Sequence, residues 1–221
     1  MKKNIILLLF SALACTLSAQ DITVKQMWLS QPDSIIPYLT EQTRQQLVDS
    51  TAKGEMQEVT NLFSEDTKLT ALTADYLSVN LSASSKLTMK LLPTEDNNHI
   101  LCMVQTYMGP LPDSRITLYD SKWQKIAGNF VPEFTADSFL ARTDSIDDEE
   151  WHQARKLIET RLISYELSAT DNSLKVSCSP ILLSSEQQTL IDKLLRTRLL
   201  VWDGKRFVEK DRVMLINILF D

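Results

Sequence analysis

The sequence predicts an α+β protein, an antiparallel β-sheet meander packed against short helices, built either as one sheet with additions or as two related α+β subdomains. Three observations carry this. From Asp75 to Trp123, apolar and polar residues alternate in short runs separated by polar turns. Parallel neighbours would need long crossovers, so these runs pair antiparallel. A second strand–turn–strand pattern follows at Ile163–Pro180, and Asp203-Gly204 sits between two apolar runs near the end. Finally, capped or amphipathic stretches before, between and after these hairpins read as helices.

The chain opens with Lys2 and Lys3, an apolar run from Ile5 to Ala14, and Leu17-Ser18-Ala19 before Gln20. This is the pattern of a secretory signal peptide over residues 1–19. The apolar run falls short of the ~18–20 residues that a membrane span needs. Cys15 offers the alternative of lipidation, but in Ala12-Leu13-Ala14 the leucine stands one place too late, so cleavage near Ala19 is preferred. The expected product is periplasmic or secreted, with no transmembrane span. Its expected division is an N-terminal α+β subdomain over 20–135 and a C-terminal one over 136–221, the latter in the order helix, hairpin, helix, hairpin.

Val24–Leu29 reads as a short strand or the start of a helix. Two short helices follow, broken at Thr40, with Asp33 or Ser34 capping the first, Thr40 the second and Gly54 closing it. Met56–Phe63 and Lys68–Leu72 read as strands. Within the long sheet stretch, Leu77, Val79 and Leu81 alternate with Ser78, Asn80 and Ser82, and Leu87, Met89 and Leu91 repeat the pattern until Pro93. His99–Met108 is continuously apolar and is the candidate central strand. Ile116, Leu118 and Trp123 belong to the last hairpin. The aromatics Phe130, Phe134 and Phe139 mark a connection lying on the sheet.

Asp144–Glu150 opens a helix whose acidic residues suit its dipole, with Ser145 as cap. Trp151, Ala154, Leu157 and Ile158 recur at helical spacing. Ser184 or Ser185, with Gln187 or Gln188 three residues on, is a capping box for a further helix. Asp203-Gly204 predicts a two-residue type I′ hairpin turn. Val213–Phe220 reads as a strand or docked end. The Leu81–Pro93 and Leu167–Pro180 segments align at Leu-Ser-Ala, at Leu87 with Leu174 and at the final prolines, as a worn repeat would, although any two hairpins share much of this.

Little of this is chemistry. The formal net charge is −6, and more negative once Lys2 and Lys3 are gone, which disfavours nucleic acid. Four glycines, none close to another, rule out a P-loop or dinucleotide turn. There is no HExxH, no zinc spacing around His99 or His152, and no GxSxG elbow. Cys102 and Cys178 lie in apolar strands and read as inert core thiols rather than a bridge. The acidic run Asp144, Asp147, Asp148, Glu149 and Glu150 lacks an EF-hand's glycine and spacing. Trp28, Trp123, Trp151 and Trp202 read as core anchors. No catalytic, cofactor-binding or metal-ligating residue is assigned and no cofactor is expected.

The runs PDSIIPYLTEQTRQQLVD, TADYLSVNLSASSKLTMKLLP and GPLPDSRITLYDSKW, with ILLSSEQQTLIDKLL and the Trp202–Phe207 hairpin, are similar to an uncharacterised family of exported Bacteroidetes proteins known only as a domain of unknown function. The resemblance implies a Gram-negative host, export and an α+β fold, and supplies no activity. The expectation is an exported envelope protein that binds a protein partner without catalysis. Its rivals are a structural or assembly role in the envelope and a hydrolase whose carboxylates come from Asp75, Glu95, Asp96, Asp113 and Asp120, all near predicted strand ends.

Overall fold

Alternating apolar residues dictate the centre of the molecule. In β3 (Tyr76–Ser82), β4 (Ser85–Pro93) and β5 (His99–Met108), Leu77, Val79, Leu81, Leu87, Met89, Leu91, Leu101 and Met103 point to one face and join a single buried cluster. The residues between them, among them Tyr76, Leu92, Cys102 and Val104, point to the other face and join a second cluster. The computed structural model describes residues 22–52 and 57–210. The predicted signal peptide with Cys15, Gly54, Met56 and the apolar segment Val213–Phe220 lie outside them.

β1 (Glu58–Thr60), β2 (Asp66–Leu72), β3, β4, β5 and β6 (Pro112–Tyr119) form a six-stranded antiparallel meander in chain order. The register of β4 on β5 is unbroken from Ser85↔Tyr107 to Pro93↔His99. A second antiparallel sheet has the order β10-β9-β8-β7, from β7 (Arg161–Leu167), β8 (Ser173–Pro180), β9 (Arg198–Trp202) and β10 (Phe207–Glu209). The α+β expectation holds, with four strands inside Asp75–Trp123 and β5 an interior strand buried from Leu101 to Val104.

One face of the large sheet is covered by α1 (Val24–Leu29) and α2 (Glu41–Ala52), which deliver Val24, Met27, Trp28, Leu47 and Val48. The other face meets the second sheet, with β7 lying against β6, β5 and β4. Leu167, Leu174, Val176, Leu200, Trp202 and Phe207 fill that layer together with Ala154 and Ile158 at the end of α3 (Asp148–Leu157) and Leu190, Ile191 and Leu194 of α4 (Ser185–Leu194). A fully buried Leu or Ile contributes roughly 1.5–3 kcal/mol by leaving water, so these two layers supply the main drive to fold.

Several local expectations change. Val24–Leu29 is a helix because Thr23 and Gln26 close a capping box around its first turn. Residues 33–39 are a chain of turns, since Pro32 and Pro37 interrupt amide hydrogen bonding there. Arg44 organises these turns by donating to the carbonyls of Leu39 and Gln31 and to Asp33. Thr40 does cap α2, accepting from the Thr43 amide. Asp147, not Ser145, caps α3, because its carboxylate reaches the Glu150 amide at 2.8 Å while Ser145 bonds Thr143. Ser184 and Gln187 form the predicted capping box of α4.

The Asp-Gly hairpin is a four-residue loop. Trp202 pairs with Phe207, and the Asp203 side chain accepts from the amides of Lys205 and Arg206, so Asp203 closes the loop and Gly204 supplies a φ of +101°. The two hairpins compared in the sequence are both antiparallel, but Leu167 faces Leu174 whereas Leu87 faces Val79.

Two sets of polar ties join the sheets. The buried Lys90 ammonium of β4 meets Asp75 at 2.8 Å and the Ala169 carbonyl at 3.5 Å. Three residues further along β4, at the same end of the sheets, Trp202 Nε1 donates to the Pro93 carbonyl at 2.7 Å and Lys205 meets Glu95 at 2.8 Å. Partial burial would raise the Asp75 carboxyl, but hydrogen bonds from Lys90 and Thr73 outweigh it and hold the group below the ordinary carboxylate range.

A depressed folded-state pKa means stability that is present above the unfolded value of about 3.9 and is lost as pH falls through the folded value. Asp75→Asn should therefore lower the urea midpoint at pH 7, by the equivalent of about 1.5–3 kcal/mol for a hydrogen bond to a charged group. It should also remove part of the acid-induced loss seen in the wild type below pH ~4. Urea melts across pH check both effects.

Cys102 and Cys178 are free thiols buried in the same cluster. Burial pushes the Cys102 thiol far up and that of Cys178 up to about 11, against the pull of Arg161. Neither should react with a thiol reagent in the native protein at pH 8, and both should react in denaturant. Mass spectrometry of the alkylated protein reads the outcome directly.

Candidate functional site

Three connections in the large sheet share one backbone pattern. In Asn61–Glu65, Thr94–Asn98 and Asp120–Gln124 the first amide donates to the last carbonyl and the fourth amide donates back to the first carbonyl. The fourth residue takes a left-handed conformation in each, at Ser64 (φ 62°), Asn97 (φ 60°) and Trp123 (φ 62°). This is the geometry of a type I turn closed by a left-handed residue, which glycine or asparagine normally fills. What the three turns do with their side chains differs.

In the Asp120 turn, the carboxylate accepts from the amides of Lys122 and Gln124, and Trp123 folds back into the core, its indole N–H donating to Ser30. In the Thr94 turn the tip is polar throughout. The Asn61 turn is built most firmly of the three and points its apolar residues outward. The Asn61 side chain is buried. Its carbonyl oxygen accepts from the amides of Phe63 (2.8 Å) and Glu65 (3.2 Å), and its NH₂ donates to the Leu81 carbonyl (3.1 Å) and Thr67 (3.3 Å). The Leu62 amide adds a bond to the Tyr38 carbonyl. Leu62 and Phe63 are nonetheless 67% and 69% exposed.

The Phe63 ring lies 5.0 Å from that of half-buried Tyr38. Tyr107, 54% exposed at the end of β5, stands close enough to act on Tyr38. Burial pushes the Tyr38 hydroxyl up, the Tyr107 hydroxyl and the Glu65 carboxylate push it further, and the neighbouring Ser85 pulls the other way. Leu62, Phe63, Tyr38 and Tyr107 thus form an apolar and aromatic surface edged by carboxylate, continuous through Tyr38 with the core under α1 and α2. Exposed apolar groups clustered on a rigid frame are a feature of association surfaces.

The five carboxylates weighed as a hydrolase site have different surroundings. Asp75 and Glu95 are engaged by Lys90 and Lys205, and Asp113 is exposed on β6. Asp96 and Asp120 line one open cleft of about 770 Å³ with Gln26, Asn98, His99 and Ser121. Each carboxylate there is committed to its own turn: Asp96 accepts from Thr94 and Asn98, which hold it below the usual range, and Asp120 accepts from two amides. His99 and His152 are exposed. Among the described residues, no three His, Cys, Asp or Glu side chains gather as a metal site would need, and no helix is long and apolar enough to cross a membrane. Trp28, Trp123 and Trp202 are buried anchors, and Trp151, half-buried, lies under the Arg142 guanidinium.

Fold and surface together define a two-sheet α+β protein whose large antiparallel meander carries an exposed aromatic turn. A solved structure, that of a domain of an uncharacterized protein from Porphyromonas gingivalis W83, has this fold. It matches with a TM-score of 0.69 at 19% identity, over 85% of this chain and 97% of that one. The chain belongs to the family of proteins of unknown function DUF3256, whose model matches residues 14–207. No curated protein matches.

The firmness of the Asn61 turn can be measured. Asn61→Ala strips buried partners from two amides and a carbonyl and should cost about 2–3 kcal/mol. Ser64→Gly removes a side chain from a left-handed position and should be neutral or stabilising by about 0.5–1 kcal/mol. Thermal and urea melts of the two variants test the pair.

Proposed function

We propose that this is an exported, non-catalytic envelope protein that binds a protein partner through the surface formed by Leu62, Phe63, Tyr38 and Tyr107. The observation that carries this is the Asn61 turn, where a buried side chain with four hydrogen bonds fixes a loop whose exposed residues are a leucine and a phenylalanine. Such a loop loses little conformational freedom when a partner covers it, and aromatic side chains concentrate binding energy. Export is supported by Lys2, Lys3, the Ile5–Ala14 apolar run and the small residues before Gln20.

The hydrolase reading has less support. A general acid needs a carboxyl raised by burial or by a like charge, whereas Asp96 is lowered by its hydrogen bonds.

Affinity capture from envelope fractions should recover a protein with the wild type and lose it with Phe63→Ser, while both proteins melt alike. Turnover of glycan or peptide libraries by the wild type, abolished in Asp120→Asn, would sink the partner reading. Mass spectrometry of the protein purified from its host should find Gln20 at the amino terminus. Incorporation of a palmitate analogue that is lost in Cys15→Ser would instead mark a lipoprotein.

A further inference from the structure

Resting on that reading, we infer that the partner segment received by this surface is cationic, a stretch in which arginine or lysine stands beside aliphatic side chains.

The argument begins with charge at the rim. Glu65 and Asp66 directly follow the displayed residues and are both exposed. Among the described residues neither takes part in an ion pair, although Glu58 on the neighbouring strand is paired to Lys68 at 3.1 Å. The Glu65 carboxylate is near enough to the Tyr38 hydroxyl to disfavour its ionisation, so carboxylate and rings share one surface. The Glu65 amide is tied to Asn61, which keeps the charge at the edge of the patch.

Two features of this surface select a cation. Aromatic faces attract ammonium and guanidinium groups electrostatically, with arginine the more frequent partner. A neighbouring carboxylate adds a charge-assisted hydrogen bond. A neutral apolar segment would satisfy Leu62 and Phe63 but cover Glu65 and Asp66 without a counter-charge, which costs affinity. An acidic segment would meet like charge. The protein as a whole carries a formal net charge of −6, so its field draws the same partner.

The test uses a short synthetic peptide alternating arginine with leucine, and two controls with glutamine or glutamate at every arginine. Each is titrated into the isotopically labelled full chain and followed by NMR. The arginine peptide should move resonances of residues 62–66 and Tyr107, bind about tenfold or more tighter than the glutamine peptide, and weaken steeply at about 0.5 M salt. Glu65→Gln should remove most of the difference between the peptides, and Phe63→Ala should weaken all binding. Equal binding of the arginine and glutamine peptides, or a Glu65→Gln variant that keeps the full preference, overturns the cationic partner. If Phe63→Ser still abolishes capture from envelope fractions, the partner-binding reading survives that result. Absence of any peptide binding, or binding only by a chain ended after Lys210, overturns the inference too; the second outcome would assign the surface to the protein's own C-terminal segment.

Discussion

From Leu87 to Leu92, β4 has no wet face. A strand in the middle of a meander that is buried on two sides has to be covered twice, and the rest of the chain is arranged to do so. The residues before the sheet supply α1 and α2 for one side. Those after it supply the second sheet, with α3 and α4 completing the layer, for the other. Thr88 and Lys90 are the polar residues of this run, and Lys90 is the charged one. Its stem lies in the layer between the sheets, and its ammonium finds Asp75 and the Ala169 carbonyl at the edge. An unpaired ammonium there would be strongly unfavourable, so the pair fixes how the β7–β8 turn sits against the β2–β3 turn. At the same end of the sandwich the Trp202 indole ties the β9–β10 hairpin to the Pro93 carbonyl.

The large sheet was legible in the sequence because its alternation is strict and its turns are short. Leu77, Val79 and Leu81 could only face one way, and the Leu87, Met89 and Leu91 run had to face the same layer. The capping boxes of α3 and α4 lay in plain view, although at α3 an aspartate two residues further along took the place expected of Ser145. What resisted reading was tertiary. The stretch 33–39 has helix-like spacing, yet Pro32 and Pro37 interrupt it and Arg44, from α2, ties Gln31, Asp33 and Leu39 into turns. The Asp-Gly pair has a hairpin signature, yet the pairing of Trp202 with Phe207 leaves four residues in the loop. The pairing partners that decide both outcomes, Arg44 and Phe207, lie outside the local stretch.

The candidate surface was hidden for a related reason. Met56–Phe63 reads as a strand because Val59, Leu62 and Phe63 are apolar, and a one-sequence reading sends apolar residues inward. In the structure the strand ends at Thr60, and Leu62 and Phe63 emerge on the other side of Asn61. One signal was available: an asparagine interrupting a short apolar run, followed by Ser64 and Glu65, is turn chemistry. Its force depends on knowing that the Asn61 amide reaches Leu81, twenty residues away, which only the folded chain reveals. The five carboxylates illustrate the opposite case. They cluster near strand ends because turns occur there: Asp75 and Glu95 meet lysines, Asp96 and Asp120 accept within their own turns, and Asp113 is exposed.

The Asn61 turn and the Asp120 turn are the same device with different cargo. In each, one anchoring side chain and two backbone bonds fix the path, and the side chains at the tip contribute no hydrogen bond that the path requires. Leu62 and Phe63 are therefore free to vary in a way that Leu77 or Met89 is not. A lineage could exchange those two residues for others, and so change what the protein recognises, while the sheet beneath continued to fold unchanged. In that sense the scaffold behaves as a handle with a replaceable bit.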